Sequence, residues 1–201
     1  MLASSVFVGM LIGLARKGSL LRLSSLRARL WWLLLLAFLA KFMAVKLHGS
    51  GLYDMGGLMP YVQGGVYLVS IGFIVLNRRF PWMKLILLGT VLNATVVMMN
   101  GGRMPVSEQT LVEVGKVQTI DRLRGGEDVM HSLGDDSTFA PFLGDWITIP
   151  PSTSVLSIGD VIVMIGVILL ISSVMTSKGT AEDKRTVQAS LIDGVGPAPT
   201  P

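Results

Sequence analysis

The chain has 201 residues, is 51% hydrophobic and only 15% charged, with a mean hydropathy of +0.63. A soluble domain carries about 25% charged residues, so one large soluble core is excluded in favour of apolar spans with charges crowded between them. The absence of cysteine excludes disulfides, thiolate metal sites, iron–sulfur clusters and cysteine nucleophiles, and the formal charge of +4 maps onto a membrane surface and not onto nucleic acid.

Five apolar segments are predicted, at 2–15, 30–47, 61–76, 83–99 and 155–175. A hydrocarbon core about 30 Å thick needs about 20 helical residues. The second, fourth and fifth segments approach that length. The third is marginal and carries Gln63, Gly64 and Gly65 at one end. The first is short, since 14 residues rise only about 21 Å. Its positive charges, Arg16 and Lys17, follow the apolar stretch, which is the wrong order for a signal peptide. The expectation is an all-α membrane protein with five spans over residues 1–175, an outer loop at 100–154 and a disordered tail at 176–201.

Orientation follows from lysine and arginine in the short connections. Arg16, Lys17, Arg22, Arg27 and Arg29, then Arg78, Arg79 and Lys84, then Lys178, Lys184 and Arg185 fall on one side, eleven of the seventeen basic residues. The loop at 48–60 has none, and the long outer loop has four against eight acids. This predicts a bacterial cytoplasmic membrane protein with its N-terminus outside and its C-terminus cytoplasmic. Residues 16–29, where leucine alternates with serine and arginine, read as a helix lying on the cytoplasmic leaflet. Trp31, Trp32 and Trp82 fall where interfacial aromatics belong.

Polar residues inside the spans are the next signal. Lys41 lies well inside the second span, where a charge costs a few kcal/mol unless it snorkels or pairs; an outer acid is its expected partner. Asn93 is central in the fourth span, with Asn100 two turns later, and its amide is expected to bond a neighbouring helix. Gly9 with Gly13, and Gly159 with Gly166, permit close helix approach. In the outer loop, residues 100–105 make a helix stop. Ser107 caps a short helix ended by Gly115, a second runs over 116–124, and 139–151 is extended. His131, Asp135 and Asp136 offer metal-ligand types, but an exposed acidic turn is the expectation; no metal site or cofactor is predicted.

The most chemically suggestive feature is a pair of Gly-Asp steps, Gly144-Asp145 and Gly159-Asp160, in apolar surroundings. Asp160 in the first turn of a helix is explained by the dipole, and Ser157 or Asp160 by capping. Alternatively, two carboxylates brought together in a low-dielectric site would share a proton and activate water.

The segments NGGRMPVS (100–107), FLGDWITIP (142–150) and LSIGDVIVMIG (156–166) resemble those of a bacterial family of small multi-pass membrane proteins known as a domain of unknown function. The similarity covers most of residues 1–175; it implies the topology and supplies no activity. A local similarity to lipoprotein signal peptidases matches Asp145 and Asp160 to their catalytic dyad and Asn100 to a helix-end Asn, though Ser157 and Gly159 stand where that family has Asn and Ala. Lys41, Asn93, Asn100 and Arg103 are the supporting polar candidates. Two functions are carried forward. One is a non-enzymatic scaffold or accessory protein, bound to lipid and to a membrane-protein partner or a second copy. The other is an aspartate-dyad peptidase or hydrolase at the outer interface.

Overall fold

The computed structural model describes residues 2–150 and 153–177; the tail expected to be disordered lies almost wholly outside them. Seven α-helices form among the described residues: α1 (Leu2–Ala15), α2 (Trp31–Gly49), α3 (Met59–Leu76), α4 (Met83–Met99), α5 (Glu108–Glu113), α6 (Val117–Arg124) and α7 (Ile158–Thr176). Of these, α2, α3 and α7 are long and apolar enough to cross a membrane, while α1 and α4 are shorter apolar helices.

The helices pack in the order α1, α7, α4, α3, α2, with α7 between α1 and α4. Small residues set the closest approaches. A Cβ at Gly9 would meet Ile168 and Ile171 of α7, and one at Gly13 would meet Met175. Across the other face of α7, a Cβ at Gly89 would lie 2.5 Å from the Gly159 carbonyl, and one at Gly166 would lie 2.6 Å from Ile86. Backbones this close gain dispersion contacts where lipid offers no hydrophobic drive for helices to associate.

Each connection is tied down by a polar side chain at a helix end. Asn77 is fully buried. Its amide donates to the carbonyls of Arg29 and Phe73, and its oxygen accepts from the Arg29 amide at 2.7 Å. That clamp joins the entry of α2 to the exit of α3. The segment expected to lie on the bilayer as a helix instead forms a 3-10 turn at Leu20–Ser25. Leu23 and Leu26 pack against Ile74, Met83, Leu170 and Val174 at the end of the bundle, and Arg22 donates to the Met175 carbonyl at 2.9 Å. The Met175 carbonyl near the end of α7 accepts from both Arg22 and the Ser19 amide, which satisfies a group the helix end leaves open.

At the opposite end, residues 100–150 fold over the helix tips. The all-α expectation is corrected here, because four short strands form: β1 (Met104–Val106), β2 (His131–Leu133), β3 (Ile147–Thr148) and β4 (Val155–Leu156). β1 pairs parallel with β2, and β3 antiparallel with β4. Such two- and three-residue pieces are too brief to show strand alternation in sequence. The last helix therefore starts at Ile158 and not at 155. The stretch expected to be extended over 139–151 contains a 3-10 turn at Pro141–Leu143. The two short outer helices form as expected, with Ser107 accepting from the Thr110 amide. Val129 packs with Ala44 of α2 and Met59 of α3, and Met104 with Val96 and Val97 of α4.

The tight crossing makes a direct prediction. Gly89→Val should lower thermal stability in detergent by about 1–3 kcal/mol through overpacking. Gly65→Ala, at a helical position with nothing within 4 Å, should be neutral or slightly stabilising. Equal melting temperatures for wild type and Gly89→Val would contradict the crossing.

Candidate functional site

The first turn of α7 is closed by a capping box. Ser157 sits in extended backbone, its hydroxyl accepts from the Asp160 amide at 2.9 Å, and the Asp160 carboxylate accepts from the Ser157 amide at 3.4 Å. A carboxylate at this position also complements the helix dipole. Asn93, presented by α4, completes the junction. Its amide donates to Asp160 Oδ1 at 2.8 Å, and its oxygen accepts from the Ser157 hydroxyl at 2.8 Å. Gly159 makes this possible, since a Cβ there would collide with the Asn93 side chain. Asn93 thus bonds a neighbouring helix as its position in the span predicted.

Asp145 arrives from the outer segment on a short bridge. Its amide donates to the Pro105 carbonyl at 2.8 Å, and its carbonyl accepts from the Ser107 amide at 2.9 Å. Gly144 permits that approach, since a Cβ there would lie 2.5 Å from the Pro105 carbonyl. The Asp145 side chain is only 8% exposed, and its Oδ1 has no hydrogen-bond partner among the described residues. Burial pushes the carboxyl up to about 7, and the nearby Asp160 charge adds to the rise while His131 opposes it. Tyr67 of α3 lies near both acids and packs against Val96, Val97 and Met104.

Asp145 lines a cavity of about 130 Å³ together with Lys116, Thr119 and His131 over an apolar wall of Val106, Leu111, Leu123 and Val155. Asp160 is not part of that wall. His131 is held beside the cavity by Asp128, whose oxygens lie 3.3 Å from its Nδ1. Burial raises the Asp128 carboxyl, but the hydrogen bond and charge of His131, with the Met130 and His131 amides, win and hold it down at about 2. The Asp128–His131 pair, three residues apart, was legible in the sequence and was passed over.

The other candidates fall in separate places. Asn100 ends α4, donating to the Val96 carbonyl and exchanging two hydrogen bonds with the Phe139 backbone. Arg103 makes no side-chain hydrogen bond or ion pair among the described residues. Lys41 does not pair with Asp145 or Asp160. It lies on α2, which packs on α3, two helices away from α7. Asp135 is spent on the Ser137 amide and hydroxyl in an exposed turn, and no group of three metal-ligating acids or histidines occurs among the described residues. Sequence reasoning noticed Gln63 but gave it no role; its buried amide donates to the Gly102 carbonyl at 3.1 Å.

The class is therefore a helical chain with several helices fit to cross a membrane, capped by a polar junction where α4, α7 and the segment 100–150 meet. The chain belongs to the Family of unknown function (DUF5317), which matches residues 25–172. It is 35% identical over 121 residues to an uncharacterized protein of Thermotoga maritima, an alignment covering 56% of this chain and 65% of that relative. The matched region thus spans slightly less than two thirds of the relative's length. No solved structure matches.

The raised Asp145 carboxyl sets a pH dependence. Its folded pKa of about 7 lies above the ordinary 3.8, so between these values the folded state holds a proton that the unfolded state has lost. Stability contributed by this group is full below about pH 4 and falls as pH rises towards 7. Asp145→Asn, isosteric with the protonated form, should flatten thermal stability between pH 4.5 and 8 and raise it at the upper end. An unchanged slope in the variant would show that Asp145 ionises normally.

Proposed function

We propose that the chain is a multi-pass membrane protein acting as a non-enzymatic scaffold or accessory protein, with residues 100–150 outside the cytoplasm as its contact segment. The observation that carries this is the state of Asp160. Both of its oxygens accept structural hydrogen bonds, from Asn93 and from the Ser157 amide, so the side chain is committed to the α4–α7 junction and to the cap of α7, as a structural acid is. The cavity beside Asp145, at about 130 Å³, is also below the roughly 300–1,000 Å³ of typical ligand pockets, and a peptide substrate needs more.

The bilayer and a membrane-protein partner, or a second copy, are the partners this reading requires. Exposed apolar residues on the outer segment, Val112 and Val117 among them, suit such a contact. The basic residues Arg16, Lys17, Arg22, Arg27, Arg29, Arg78, Arg79 and Lys84 gather at the opposite end of the bundle, which supports a cytoplasmic assignment for that end.

A second reading, an aspartate-dyad hydrolase at the outer interface, is favoured by one observation. Asp145 is held near neutrality by burial and by the Asp160 charge, as a dyad requires.

The two readings separate experimentally. As a structural acid, Asp160→Asn should reduce abundance in the membrane fraction, while Asp145→Asn should leave abundance unchanged. A hydrolase would keep both variants at wild-type abundance and lose cleavage of a membrane-tethered peptide in each. Because the chain has no cysteine, Asp136→Cys and Arg16→Cys report orientation cleanly. An impermeant maleimide should label the first in intact cells and the second only after permeabilisation; the reverse pattern overturns the orientation.

A further inference from the structure

The connection between α3 and α4 builds a second site at the basic end of the bundle, distant from the outer junction. An open groove of about 610 Å³ runs there past Phe80, Pro81 and Trp82 to Leu85 and Leu88, with Arg78 and Lys84 at its rim. The walls are almost wholly apolar. The three neighbouring cations differ in what they do. Arg79 is consumed by the fold, donating to the Arg27 carbonyl at 2.7 Å and stacking 5.0 Å from the Phe80 ring. Arg78 and Lys84 are exposed, and their side chains make no hydrogen bond or ion pair among the described residues.

Trp82 forms one wall at a conformational cost. Its backbone lies in the left-handed region, φ 65 and ψ 1, which a bulky side chain rarely adopts. Its indole nitrogen donates to the Ser173 hydroxyl of α7 at 2.9 Å, so the ring is tethered across helices and cannot turn away. Below the groove, Leu88, Val91 and Met98 are exposed along one stripe of α4, spaced by three and seven residues as one helix face requires. Two free cations at a helix end, an aromatic wall at the interface and an apolar track running into the bilayer match one molecule in charge and shape.

We propose that this groove binds an anionic phospholipid, its phosphate between Arg78 and Lys84 and an acyl chain along Leu85, Leu88 and Val91. Charge complementarity selects an anionic headgroup over a zwitterionic one, since a choline ammonium would face two cations. The apolar track selects a lipid over free phosphate. The site uses none of the residues at the outer junction and goes beyond the scaffold reading; it requires only that α4 and α7 lie in a bilayer.

Native mass spectrometry of the full chain in mixed micelles tests it, comparing retention of phosphatidylglycerol with that of phosphatidylcholine. The wild type should prefer phosphatidylglycerol, and Arg78→Gln/Lys84→Gln should lower that preference roughly thirtyfold, since each basic residue at an anionic surface contributes a factor of about five. Arg16→Gln/Lys17→Gln removes the same charge elsewhere at this end and should keep it. Equal loss in both double variants would reduce the effect to general surface charge and overturn the site. So would retention of the preference in Arg78→Gln/Lys84→Gln, or full displacement of the bound lipid by inorganic phosphate in the same micelles. Both altered side chains are exposed, and matching melting temperatures for the two double variants would confirm that folding is not the cause.

Discussion

The arrangement depends on how near the backbones of α4 and α7 can come. Gly89 faces the Gly159 carbonyl, and Gly159 faces the Asn93 side chain, so at the level where α7 begins the two glycines give the helices their close approach. That proximity brings the Asn93 amide within hydrogen-bond reach of both Ser157 and Asp160. An asparagine in a span must find a partner or carry an unsatisfied amide into hydrocarbon. Here it finds two, and both belong to the cap of α7. The cap and the crossing thus share the same residues, Ser157 and Asp160 on α7 and Asn93 on α4.

The same logic explains both Gly-Asp steps. In each, the glycine clears a backbone approach and the acid follows at the resulting junction. Gly159 clears the way for Asn93, and Asp160 is then satisfied on both oxygens. Gly144 lets its chain lie against Pro105, and Asp145 is then carried into the interior with one oxygen unpartnered. Identical dipeptides end in different surroundings, because one acid is met by a helix N-terminus and an amide, the other is buried with one oxygen unpartnered.

Much of this was legible in the residues. The apolar spans emerged within a few positions, because continuous hydropathy is a local property. The Ser157 cap, the Ser107 cap and the close-packing glycines were also legible, since each is encoded within a few residues of where it acts. What escaped was non-local. Asn77 clamps a residue 48 positions away, and nothing near it in sequence marks that role. The β1–β2 pairing joins segments too short for periodicity. The pairing of Lys41 with an outer acid failed because spacing along one helix reveals which face a residue occupies, not which helix lies opposite.

Helix order also accounts for where the polar junction forms. α7 lies between α1 and α4, and its α1 face is met by Gly9 and Gly13, which contribute no side chain beyond hydrogen. The α4 face offers Asn93, whose amide and oxygen both bond the first turn of α7. The outer segment must then descend onto that face, through the Asp145 bridge to Pro105 and Ser107, for its own acid to come near Asp160. The electrostatic contact between Asp145 and Asp160 is therefore a consequence of topology. It exists because the same helix face that satisfies one carboxylate is the face on which the outer segment lands, and burial under that segment withholds a partner from the other.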